Sequence, residues 1–155
     1  MKITTRDARV LHKGITVVTS GTHNVVTTSA DDSKSATEVP FLLEDKGRWN
    51  LTKNLELCDT LIKRVDKQKM EILRELTGAV GRDLLQAKEP QKYADYIERT
   101  EALEDMEHSL PLLRVKRSWL KEGNDNPIPG IVIVSMKSIL QDDTTQANKD
   151  EIIPD

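Results

Sequence analysis

The chain has 155 residues, and its 23 Lys and Arg against 26 Asp and Glu leave a net charge of −3. With 37% apolar, 32% charged and only 3% aromatic residues, it can bury one modest core of Leu, Ile and Val, and the near-neutral balance excludes a histone-like polycation or an acidic nucleic-acid mimic. The single Cys excludes an internal disulfide or a Cys-based zinc site, and no run approaches the ~18 apolar residues of a membrane span.

The opening MKITTRDARV lacks the apolar h-region of a secretory signal, so a cytoplasmic protein is expected. Val10 and Leu11 precede His12-Lys13-Gly14, and Ile15, Val17 and Val18 follow. Gly14 suits a tight turn and the flanking β-branched residues favour strands, which predicts a β-hairpin. From Thr19 to Thr37, nine of nineteen residues are Ser or Thr. The stretch Ser29 to Ser35 can bury almost nothing and reads as a mobile loop. Val39 to Leu43 reads as an edge strand or strand start because Pro40 has no ladder donor. Glu44 to Gly47 reads as a turn.

The strongest signal follows. Leu51, Leu55, Cys58, Ile62, Val65, Ile72 and Leu76 form an a/d seam at spacings of four and three, with Lys69 in the one polar slot. Asn50 or Thr52 can cap the start of this coiled-coil-like helix. Leu57, Leu61, Met70 and Leu73 widen its apolar face. Gly78 and Gly81 weaken it, with a further turn or two possible over Val80, Leu84 and Leu85. Pro90 suits the first turn of a second helix, where Tyr93, Tyr96, Thr100 and Leu103 repeat, with Ile97 and Leu110 beside them. The two helices are expected to pair as an antiparallel hairpin, basic against acidic. The seam of the first outruns that of the second, leaving surface for the β elements or another copy.

After Pro111 the period changes to two. Leu113, Val115 and Trp119 alternate with Arg114, Lys116 and Ser118, which predicts a half-buried strand. Gly123 to Gly130 is a loop, Ile131 to Val134 a buried strand, and Ser135 to Leu140 a helical turn. Gln141 to Asp155 is polar and acidic, and alone should be disordered.

Chemistry-bearing constellations are sparse. Cys58 sits on the seam, where a thiol packs as a small hydrophobe rather than serving as a nucleophile. His12, His23 and His108 share no metal-ligand spacing. Gly78-Ala79-Val80-Gly81-Arg82 follows a helix and lacks the third Gly and the Lys-Ser/Thr ending of phosphate loops, so helix termination is the better reading. The carboxylates Asp95, Glu98, Glu101, Glu104, Asp105 and Glu107 form a solvated acidic face rather than an acid–base pair. Arg114, Lys116 and Arg117 could contact a nucleic-acid backbone, with Trp119 as a stacking face. Asn50-Leu51-Thr52 matches a glycosylation sequon but is better read as a helix start.

These readings predict an α+β chain with no fixed-period repeat. A β-rich arm (1–47) precedes a helical hairpin (48–110), a β-rich segment (111–140) and an acidic tail (141–155). No enzyme, cofactor, metal, membrane or small-molecule substrate is expected. The expected role is a non-enzymatic, self-associating structural or assembly protein, with Leu51, Leu55, Ile62, Val65, Ile72 and Leu76 as interface candidates. The alternatives are a small nucleic-acid-binding regulator using Arg114, Lys116, Arg117 and Trp119, and an adaptor that masks a host protein.

The layout of residues 48–140 resembles that of small uncharacterised bacteriophage proteins. It has β arms, a helix reading Leu51-Thr52-Lys53-Asn54-Leu55-Glu56-Leu57, a paired helix, and a closing segment with Leu113-Arg114-Val115-Lys116 and Ile131-Val132-Ile133-Val134. The resemblance implies a virion or assembly component, or a factor acting against host defences. It assigns a role to no individual residue.

Overall fold

The computed structural model describes residues 1–28, 34–79, 83–142 and 152–153. A short strand β1 (Lys2–Thr4) leads into helix α1 (Thr5–Ser20), not into the expected hairpin. Thr4 caps α1, its Oγ1 accepting from the Asp7 backbone N–H at 3.1 Å. Ala8, Leu11, Ile15 and Val18 recur at three, four and three, and all four are buried. Burial of that stripe, at ~1.5–3 kcal/mol for each large aliphatic side chain, outweighs the few tenths by which β-branched residues disfavour a helix. Gly14 serves a close approach rather than a turn. A Cβ there would lie 2.0 Å from Ser135 Oγ and 3.1 Å from Met136 Cγ.

Strands β2 (Thr22–Thr28) and β3 (Lys34–Pro40) pair antiparallel over seven residues each, from Thr22 opposite Pro40 to Thr28 opposite Lys34. Of the expected mobile loop Ser29 to Ser35, Lys34 and Ser35 belong to β3, and 29–33 lie outside the described residues. The hairpin is almost wholly exposed. Its base is held where His23 stacks on buried Phe41, with ring centroids 5.2 Å apart. Pro40 ends β3, where no further ladder donor is needed.

Helix α2 (Asp45–Thr77) spans 33 residues. It begins before Asn50 and Thr52, so neither caps it, and Glu44 to Gly47 enters the helix instead of turning. Its first turn is tied down by Glu44 N–H donating to Trp119 O at 2.9 Å. Gly78 stops α2 in the left-handed conformation, φ 70°, its N–H bonded to Arg74 O at 2.8 Å. Val80 to Arg82 lie outside the described residues, and Leu84 and Leu85 are not helical.

Helix α3 (Pro90–Asp105) starts at Pro90 as the sequence predicts. It ends five residues before Leu110, because Glu107–Ser109 forms strand β4, antiparallel to β1 with Ile3 opposite His108. Lys69 pairs with Glu104, and Glu75 with Arg99 at 2.8 Å. Positions rising along α2 thus meet positions falling along α3, which is the antiparallel hairpin expected. The larger partner of α2 is α1, whose Arg9 reaches Asp66.

The strand expected after Pro111 shrinks to β5 (Val115–Lys116) and a 3-10 turn (Arg117–Leu120). Ile131 to Val134 is not a buried strand. It lies in helix α4 (Gly130–Ser135), and strand β6 (Leu140–Gln141) then pairs parallel with β5. Most of the acidic tail lies outside the described residues. Within it, Ile153 N–H donates to Leu112 O at 2.8 Å, and Ile152 bridges Leu113.

Together these elements make an α+β fold of four helices and three two-stranded pairs. Leu11, Ile15 and Val18 of α1, Leu51, Cys58, Leu61 and Val65 of α2, and Leu112, Val115, Leu120, Met136 and Ile139 fill one core. Burial pushes the Cys58 thiol up to about 12, so it stays protonated as a packing group.

Two fully buried asparagines fasten the C-terminal segment to α2. Asn54 donates Nδ2–H to Leu113 O at 2.8 Å and accepts from Leu113 N–H at 2.7 Å. Asn50 donates to Arg114 O at 2.7 Å. A third, Asn126, accepts from Leu42 N–H at 2.8 Å and donates to Leu42 O at 3.0 Å. An amide side chain matches a peptide unit donor for acceptor, and Asn54 and Asn126 use both halves on irregular backbone that no ladder reaches, whereas Asn50 uses only its donor and its buried Oδ1 has no partner.

Candidate interaction surface

The interface candidates on α2 are divided by the fold. Leu51 and Val65 are fully buried in the chain's own core, and Leu55, Ile62, Ile72 and Leu76 are half-buried. The seam is real, but α1, α3 and the 112–120 segment cover much of it. Leu51 and Val65 are therefore not available to another copy.

The exposed apolar surface lies elsewhere. On α1, Val10 and Val17 flank the buried stripe, 48% and 38% exposed. On α4, Val132 turns inward, leaving Ile131 77% and Val134 66% exposed. These side chains line a groove of about 340 Å³ between the two helices, with Gly14 and Ser135 along it. Gly14 makes the groove possible, since α4 rests where a larger residue would stand. Lys13 lines the same groove, and Lys2 and Lys137 line its continuation toward β1. Asp7 also lines that continuation and accepts from Thr4 Oγ1 at 2.8 Å. Among the described residues, Lys2, Lys13 and Lys137 make no ion pair. In sequence, Val10 and Val17 at i, i+7 become legible as a helical stripe only once residues 5–20 are recognised as helix. Nothing in Ile131-Val132-Ile133-Val134 marks two of its four residues as exposed.

Arg117, Lys116 and Trp119 are engaged within the chain. Arg117 pairs with Asp142 at 3.2 Å. Lys116 and Lys46 place their ammonium groups 5.8 and 5.5 Å from the Trp119 ring centroid, and Gly47 lies against Trp119 Cβ. Arg114 is half-buried, and its Nε is buried without a hydrogen-bond partner. The Trp119 ring already carries two cations, and the four residues do not form an open stacking platform.

The histidines lie apart, on α1, β2 and β4, and among the described residues no three His, Cys, Asp or Glu side chains gather as metal ligands. His108 sits in the middle of β4. Arg64 has only donors, so its contact at 3.3 Å makes His108 Nδ1 the acceptor, and Nε2–H then donates to Thr5 Oγ1 at 3.2 Å. Desolvation, with the Arg64 charge behind it, holds the imidazole below its ordinary value. The unfolded chain therefore takes up this proton at higher pH than the folded one. The stabilisation is complete above the unfolded value near 6.5 and is lost as pH falls through the lower folded value. The melting temperature is expected to fall between pH 7 and 5.5 and to change less in His108→Gln. An unchanged slope in that variant would count against the assignment.

Comparison with protein-family models, with curated proteins and with solved structures finds no match.

Proposed function

We propose that the chain is a non-enzymatic assembly protein that associates with copies of itself, and that the α1–α4 groove is its contact surface. The observation that carries this reading is the contiguous exposure of Val10, Val17, Ile131 and Val134. Scattered surface aliphatics are ordinary, but a continuous concave set is the usual mark of a docking surface. Full burial of an exposed aliphatic side chain contributes roughly 1.5–3 kcal/mol, and these four, 38–77% exposed, would each contribute a corresponding part of that. The layout's resemblance to small uncharacterised bacteriophage proteins, which implies a virion or assembly component, fits the same reading.

Light scattering over a wide concentration range tests it. The wild type is expected to exceed the 17.5 kDa mass of one chain, and Ile131→Asp or Val134→Asp to return it to that mass. Both sites are exposed, so circular dichroism should be unchanged. A wild type that stays monomeric throughout overturns the proposal.

A further inference from the structure

We infer that the occupant of the α1–α4 groove is the outer face of α3 from a second copy, joined head to tail. The inference rests on the self-association reading and adds which surface meets which. Charge decides the partner. Lys2, Lys13 and Lys137 rim the groove and its continuation, outnumber the one carboxylate there, Asp7, and make no ion pair among the described residues. A two-fold contact of groove on groove would set one predominantly basic surface against another, and like charges facing across an interface cost several kcal/mol. The occupant must therefore be acidic.

The exposed face of α3 supplies that chemistry. Glu98 and Glu101 point outward and make no ion pair among the described residues, while Asp95 and Asp105 flank them. Ala94 and Ala102 are exposed on the same face. Small side chains let a helix backbone approach an apolar floor closely. At 1.5 Å per residue, Ala94 to Ala102 spans about 12 Å, close to the ~10 Å between Val10 and Val17 on the groove wall. The apolar side of α3 is turned into its own chain, with Thr100 buried and Tyr96, Ile97 and Leu103 half-buried.

The two surfaces are separate on one chain. The groove lies where α4 meets α1, whereas α3 meets α1 through Arg6 and Arg9. Each copy thus carries one groove and one α3 face. Such a heterologous contact repeats, giving a ring if the rotation closes and a filament if it does not.

Two exposed double variants test the pairing. Lys13→Glu/Lys137→Glu reverses the groove, and Glu98→Lys/Glu101→Lys reverses the α3 face. Each alone is expected to weaken self-association at least about tenfold. Mixed one to one, the first still offers an intact α3 and the second an intact groove. The mixture should therefore regain assembly beyond the 17.5 kDa chain mass, because the reversed α3 face of the second, now basic, also meets the reversed groove of the first, now acidic. Double variants that assemble like wild type overturn the inference while leaving self-association standing. Two monomeric variants that stay monomeric when mixed overturn it as well. A monomeric wild type overturns both readings.

Discussion

Replacing Asn54 with Ala is expected to destabilise the chain by roughly 2–5 kcal/mol, a large loss for a single polar side chain. Asn54 is fully buried and holds both the N–H and the C=O of Leu113. Ala removes both bonds and leaves two backbone groups with no replacement in the helix surface. At about 2–4 °C per kcal/mol for a chain of this size, the melting temperature should fall by roughly 4–20 °C. Thr60→Ala, on the exposed side of the same helix, is the control and should change stability by less than about 0.5 kcal/mol. Thermal or urea unfolding reads both. A loss for Asn54→Ala no larger than that for Thr60→Ala would mean that the 112–120 segment holds its place without the asparagine.

The second large effect is expected at Glu104. Its side chain is only 12% exposed, and it accepts from Arg9 of α1 at 3.0 Å and from Lys69 of α2. One carboxylate on α3 thus joins three helices. Glu104→Gln keeps the shape and one acceptor but leaves two cations converging on a neutral group. Breaking a fully buried pair costs about 3–5 kcal/mol; with Arg9 30% and Lys69 23% exposed, solvent screening reduces the expectation to roughly 2 kcal/mol. Asp105→Asn, one residue on, breaks the pair with Arg6. Those two side chains are 60% and 64% exposed, so the urea midpoint should barely move. Urea midpoints of the two variants check the contrast. Equal losses would show that burial of the Glu104 carboxylate adds nothing to its pairing.

The helical hairpin is readable in the chain because each of its signals is local. Leu51 to Leu76 repeats at the helical period, Gly78 tolerates the left-handed stop, and Pro90 fits a first turn. The basic-on-acidic contact expected of α2 with α3 is present in Lys69 with Glu104 but reversed in Glu75 with Arg99. The ends of the chain are ambiguous. In residues 5–20, the spacing of Ala8, Leu11, Ile15 and Val18 is a helical signal. The β-branched residues and Gly14 mask it, since the same glycine serves a hairpin turn or a close helix contact. Ile131 to Val134 is too short for periodicity to separate a strand from a helical turn. The three asparagines are visible as letters, but their partners lie 59 to 84 residues away for Asn54 and for the Asn126–Leu42 pair.

By itself, the sequence determined the α+β class, the long amphipathic helix with its stop, and the pairing of that helix with α3, because backbone propensity and apolar period act over a few neighbouring residues. Only the tertiary structure decided which apolar side chains stay outside. The α2 seam reads as an interface, yet α1 and the asparagine-held segment bury Leu51 and Val65 at its core-facing positions. The packing of α4 over Gly14 instead leaves Val10, Val17, Ile131 and Val134 at the surface, rimmed by lysines. Exposure depends on which distant elements meet, and no local pattern in the chain encodes that.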